Sequence, residues 1–123
     1  MTAASPPSTA VIRVSRGNFD PARFEEVEHM TRDTGRYLIP AIARLDGLIA
    51  YYAGASVQGS AVHVSLWQTN DHAEQMGQLK EMVVDARSDA DAVGVTFIPI
   101  VNYPMAWTTQ PSPTRAGSPP PLN

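Results

Sequence analysis

From residue 62 to 67 the chain alternates strictly, with Val62, Val64 and Leu66 on one face and His63, Ser65 and Trp67 on the other. A period of two among β-branched and aromatic residues predicts a half-buried strand. Thr69, Asn70 and Asp71 follow with side-chain oxygens suited to a helix N-cap, and Asp71 with Glu74 has the spacing of a capping box. Ala73, Met76, Leu79 and Val83 then recur at helical intervals, so an amphipathic helix is predicted to about residue 87. A strand that delivers a large ring to a helix N-terminus makes a natural pocket wall.

The same pattern extends to both sides. Residues 11–15 form a first strand, with Ile12 and Val14 on one face and Val11 on the other. Asp20 is placed to cap a helix whose first position is Pro21, the helical site where proline is favoured. Phe24, Val27, Met30 or Thr31, and Thr34 form its apolar stripe. Gly35 and Pro40 predict a break near Gly35, then a short helical segment over residues 38–44. Past Asp46 and Gly47, a second strand over residues 48–53 carries Tyr51 and Tyr52 on opposite faces. Residues 54–60 read as a turn that joins it to the third strand in a hairpin. Asp89, Asp91 and Gly94 belong to a connection with room for one helical turn. Residues 95–103 form a fourth strand in which Pro99 predicts an edge or a bulge, and residues 105–109 an arm. The composition of residues 1–9 and of the proline-rich residues 110–123 predicts a disordered lead-in and tail, leaving one domain over residues 10–109.

Composition narrows the function classes. A length of 123 residues suits one domain, and 43% hydrophobic with 17% charged residues is ordinary for a globular protein. No apolar run approaches the ~20 residues that cross a bilayer, and residues 1–10 lack the pattern of a secretory signal. The absence of cysteine excludes disulfides and thiolate metal sites, and makes a cytoplasmic location the simplest expectation. A formal charge of −3 gives no footprint for nucleic acid. Glu26 and His29 form a single Glu-x-x-His, whereas a di-iron bundle needs two with further glutamates. Glu25 and His29 at four residues' spacing read as a surface pair. No phosphate-loop, dinucleotide or nucleophile-elbow motif is present, and no metal is expected.

The element order strand, helix, strand, strand, helix, strand is that of an α+β, ferredoxin-like βαββαβ domain with a four-stranded antiparallel sheet. Two helices cover one face of such a sheet. Val11 beside Ile12, Leu48 beside Ile49 and Phe97 beside Ile98 nevertheless make three strands apolar on both faces. A face that met water would be polar. The uncovered face is therefore expected to meet the sheet of a second copy, as a homodimer.

The segment RYLIPAIARLDGLIAYYAG followed by VHVSLWQTNDHAEQM resembles the dimeric α/β-barrel superfamily, and within it the antibiotic-biosynthesis monooxygenase-like domains. In these a strand ends in Trp and a Ser/Thr/Asn-rich cap opens the second helix, as at Trp67 to Asp71, while Leu45 to Leu48 matches a helix end leading into a strand. The resemblance implies pairing into a dimeric α/β barrel. Quinone-forming members oxidise phenolic polycycles with dioxygen and without metal or flavin, so no cofactor is implied. There the strand Trp and an amide-bearing neighbour line a cleft; Trp67 matches the Trp, and His63 stands where Asn can occur. Haem-degrading members supply a histidine from the second-helix region, and this chain has none after His72.

His63, Trp67 and Arg87 are the candidate catalytic residues, with Tyr51, Tyr52, Ser65 and His72 as candidate substrate contacts. Imidazole can bind a phenol or take its proton. Trp67 reads either as cleft wall or as core, since small domains rely on aromatic burial. At ~3.3 Å per residue it lies about 13 Å along the strand from His63, far enough for the two to bracket a bicyclic or tricyclic ligand. Arg87 reads either as a reach toward a substrate oxyanion or as a partner of the helix C-terminal dipole. Only one of Tyr51 and Tyr52 can share the pocket, and the other is expected at the dimer interface. His72, in a first helical turn, has a neutral or solvent-exposed default, and a structural His63 is also open. The expectation is a cofactor-independent monooxygenase-like protein for a small phenol- or quinol-type aromatic. The alternative is a non-catalytic ligand-binding or accessory protein on the same scaffold.

Overall fold

The computed structural model describes residues 5–109 and 111; residues 1–4 of the expected lead-in and all of the expected tail except residue 111 lie outside them. β1 (Val11–Asn18) leads through a 3-10 turn (Pro21–Arg23) into α1 (Phe24–Ala43). β2 (Leu48–Ser56) and β3 (Ser60–Trp67) form a hairpin. α2 (Asn70–Glu74), a 3-10 stretch (Gln75–Leu79) and α3 (Lys80–Ala92) precede β4 (Thr96–Phe97) and β5 (Val101–Pro104). The sheet is antiparallel throughout, in the order β2-β3-β1-β4, and β5 continues along β1. This is the ferredoxin-like arrangement that the element order predicts.

Local chemistry accounts for most boundaries. The Asp20 carboxylate accepts from the Ala22 N–H at 2.9 Å, with Pro21 next to it. Thr69, not Asp71, caps α2: its Oγ1 accepts from the His72 N–H at 3.2 Å. In the hairpin, Gly59 adopts φ +98° and its N–H donates to the Ser56 carbonyl, closing a three-residue loop.

Three expectations are corrected. α1 does not break at Gly35 but runs unbroken to Ala43 with Pro40 inside it. Val27, Thr34, Leu38 and Ile42 bury one continuous stripe, and this packing outweighs local propensity. Pro40 and Arg36 lie on the exposed side, so the Arg36 carbonyl that loses its intrahelical donor can bond to water. The second helix is not one piece: a 3-10 stretch around Gly77 divides it, and its last part extends through Asp89 and Asp91 to Ala92. Glu25 does not pair with His29; His29 Nε2 lies 3.1 Å from Asp33, and Glu26 pairs with Arg23 at 2.8 Å.

The fourth strand is interrupted at Pro99. From Gly17 to Val14 β1 advances three residues, while its partners advance four, from Phe97 to Val101. The extra residue is a bulge, and it reverses which parity faces the helices. Asn102 is thereby paired with Arg13, and Val101 and Tyr103 with Val14 and Ile12.

Under the helices the inner face of β3 reads Ala61, His63, Ser65, Trp67, and that of β1 Gly17, Ser15, Arg13, Val11 in register. Apolar clusters close both ends. Phe19, Val27, Ala61, Ala90 and Val95 form one, and Val11, Trp67 and Ala73 the other, with Leu45, Leu48 and Met76 against it. The opposite face carries Ile12, Val14, Val62, Val64, Leu66 and Tyr103, all half-buried or exposed, with Tyr52 68% exposed among them. No helix covers them within the described chain. No helix among the described residues is long and apolar enough to cross a membrane.

Gly47, at φ +78°, turns the chain from α1 into β2, and a Cβ there would strike the His72 ring. Gly47→Ala is expected to lower stability by about 1–3 kcal/mol, read as a lower denaturant midpoint at unchanged slope.

Candidate active site

Between the two apolar clusters the polar inner residues of β1 and β3 border a cavity of about 290 Å³ under α1 and α3. It adjoins a second space of about 620 Å³ between α1 and β2, and Tyr51 and His63 line both. These volumes lie in the range of small-molecule sites. The helix side contributes Met30, Leu38 and Val83 with Thr31 and Thr34. Both threonine hydroxyls donate back to α1 carbonyls, Thr31 to Val27 at 2.8 Å and Thr34 to Thr31 at 3.1 Å, so they are satisfied within the wall.

Tyr51 and His63 form the centre of the site. Tyr51 Oη lies 3.0 Å from His63 Nδ1, with the rings edge to face at 5.9 Å between centroids. Burial pushes the Tyr51 hydroxyl up to about 12, against the opposing pull of the Arg13 charge. Burial lowers the His63 pKa, because an imidazolium would lose its hydration there. At neutral pH both partners are uncharged. One hydrogen bond joins them, and His63 Nε2 is left for another contact.

The other predicted residues divide. Arg87 borders the cavity from α3, its guanidinium 5.1 Å from the centre of the Phe97 ring. Ser65 also borders it, although only 2% exposed. Trp67 does not: it is fully buried and absent from the cavity wall, so the expectation that it faces a ligand opposite His63 is corrected. The bulky ring excludes water from the end of the sheet, and its Nε1–H donates to Ser65 Oγ at 2.8 Å. Tyr52 points to the open face of the sheet, away from the cavity. His72 lines neither space; its Nδ1 lies 2.9 Å from Thr69 Oγ1 and its ring lies over Gly47, so it braces the α1–β2 turn.

Arg13 and Ser15 are wall residues that the sequence reading passed over. Their signal was present: they share parity with the inward Val11, and an arginine on an inward face is unusual. Asn102 could not be assigned in this way, because the bulge at Pro99 reverses the strand's parity. Among the described residues no group of three His, Asp or Glu side chains converges as a metal site would require.

No known family pattern matches the sequence, and no curated protein matches it. Solved structures do match. A monooxygenase from the gene ActVA-Orf6 of Streptomyces coelicolor, in complex with nanaomycin D, superposes with a TM-score of 0.64 at 15% identity, covering 85% of this chain and 95% of that one. SnoaB, a cofactor-independent oxygenase from Streptomyces nogalater, gives 0.56 at 19% identity over 85% and 99%. NE2512 from Nitrosomonas europaea, a protein of unknown function, gives 0.58 at 13% identity over 85% and 97%. At such identities the likeness is one of fold: the chain shares its α+β, ferredoxin-like fold with these solved structures, two of which are oxygenases.

Proposed function

We propose that the chain is a cofactor-independent monooxygenase-like enzyme that oxidises a small phenol- or quinol-type aromatic in the cavity beside Tyr51 and His63. The observation that carries this reading is the uncharged, hydrogen-bonded Tyr51–His63 pair on the wall of a largely apolar cavity. With Nδ1–H donating to Tyr51 Oη, Nε2 holds the lone pair and accepts a substrate hydroxyl proton. Arg87 at the same cavity favours the resulting phenolate. The electron-rich ring then reduces dioxygen: an aromatic C–H para to the hydroxyl becomes a quinone C=O, one oxygen atom enters the product and the other leaves as water. Four electrons pass from substrate to O2.

A second reading, a ligand-binding or accessory protein, draws on the placement of Trp67. With the indole buried away from the cavity, the aromatic wall expected of a ring-oxidising site is carried by Tyr51 alone among the candidates. Oxygen uptake with hydroquinones and anthrone-like phenols, metals chelated, separates the two: consumption supports the enzyme, and saturable binding without consumption supports the accessory protein.

The pairing of two sheets belongs to this proposal. The open face is apolar around Ile12, Val14, Val64 and Tyr103, with the exposed Arg16 at its margin, and a second copy of the chain would bury it. Sedimentation across a dilution series is expected to show a dimer, and Val64→Asp to dissociate or unfold it. A stable, folded wild-type monomer would contradict the pairing.

His63→Gln is expected to reduce turnover roughly 10²–10⁴-fold with the fold retained. Because burial lowers the His63 pKa, the acid limb of the rate profile should lie below the free imidazole value of ~6.5. Stability shifts with the same sign: below that value the unfolded chain binds the proton that native His63 resists, so folding weakens as pH falls. A Gln variant with normal turnover would rule out the base.

A further inference from the structure

The cavity carries positive charge without a matching acid. Arg13 and Arg87 are on its wall, and none of the lining residues is Asp or Glu among those described. Neither arginine makes an ion pair among the described residues. Glu28 borders the adjoining space, but its carboxylate lies 4.0 Å from Arg32.

The two arginines differ in readiness. Arg87 is on the exposed side of α3 with its guanidinium against the Phe97 ring. Arg13 rises from the sheet floor, in register with Ser65 and half-buried. One of its nitrogens donates to Asn102 Oδ1 at 3.3 Å, a neutral acceptor. Asn102 in turn donates to Asn70 Oδ1 at 3.3 Å and Glu74 Oε1 at 3.5 Å. The only carboxylate of this network therefore meets the asparagine and not the guanidinium. A guanidinium has five N–H donors in a planar fork, and among the described residues the Asn102 amide takes only one of those of Arg13. Beside it, Ser65 Oγ accepts the Trp67 N–H, which leaves the serine proton to donate. Arg13 lines the same cavity as Tyr51, and its charge opposes the burial that raises the Tyr51 hydroxyl.

We propose that Arg13 is a specificity residue that binds a carboxylate on the aromatic substrate, with the Ser65 hydroxyl as second donor, so that the cavity selects carboxylated over neutral hydroxyaromatics. This rests on the cavity being the ligand site proposed above. It assigns a substrate class, and an anchoring role to a residue outside the expected catalytic set. The fork geometry suits a carboxylate in two-point contact, and a partly dry site strengthens that contact.

Two probes that differ only in the acid test this: 1-hydroxy-2-naphthoate and 1-naphthol, titrated calorimetrically into the full chain at low salt. The wild type is expected to bind the naphthoate roughly ten- to hundredfold more tightly. Arg13→Gln should abolish that preference by bringing the naphthoate affinity down to about that of naphthol, and Arg13→Lys should retain part of it, since it keeps the charge and loses the fork. Equal wild-type affinity for the two probes would overturn the assignment while leaving the cavity as a ligand site. Binding of neither would remove the cavity reading and the assignment together. A fall in both affinities with Arg13→Gln, reproduced by Asn102→Ala, would make Arg13 a structural residue. Loss of the preference in Arg87→Gln but not in Arg13→Gln would move the role to Arg87. Should Arg13→Gln melt early, the wild-type preference and Arg13→Lys still decide the matter.

Discussion

The structure depends on the pairing of β1 with β3, which sets two polar rows side by side under the helices. Arg13 faces Ser65 and Ser15 faces His63, with apolar or small residues at either end of both strands. Side chains that need hydrogen bonds are costly to bury under an apolar helix face unless each finds a partner. The core therefore divides into two clusters, and the space between them is the cavity. A continuous apolar inner face would bring the helices down onto the sheet and leave no site.

Trp67 and Ser65 show how the ends are secured. The indole fills the space below α2, and its single polar atom is satisfied two residues back along the same strand. Burial of the ring stabilises this end of the sheet, and the hydrogen bond fixes the oxygen that faces the cavity. Trp67 thus acts on the site through its neighbour. At the other end Gly17 admits Val95, whose side chain would lie 2.7 Å from any Cβ there.

Burial also sets the charge state of the centre. Tyr51 and His63 each lose more by ionising in this setting than in water, so the floor of the site is a neutral hydrogen-bonding surface under the field of two arginines. The same sheet turns an apolar face the other way, with Tyr52 beside Val64. One strand register thus serves the polar floor of a cleft and an adhesive surface at once, and a slip of one residue would exchange them.

Alternation and capping residues made the element order, the sheet and the grouping of His63 with Ser65 legible in the sequence, because a strand's period assigns faces without any knowledge of neighbours. The same rule would have found Arg13 and Ser15, two and four residues from the inward Val11. It could not place Trp67 in core or cleft, since parity says which face a ring is on and not what covers it. Nor could it foresee an unbroken α1: Gly35 and Pro40 are local arguments for a break, and the burial of Leu38 and Ile42 against the sheet outweighs them. The partnership of Tyr51 with His63 depends on the hairpin register, and that of Asn102 with Arg13 on one bulged residue near Pro99. These are distances between strands, which local pattern does not encode, and they were decided only when the sheet closed.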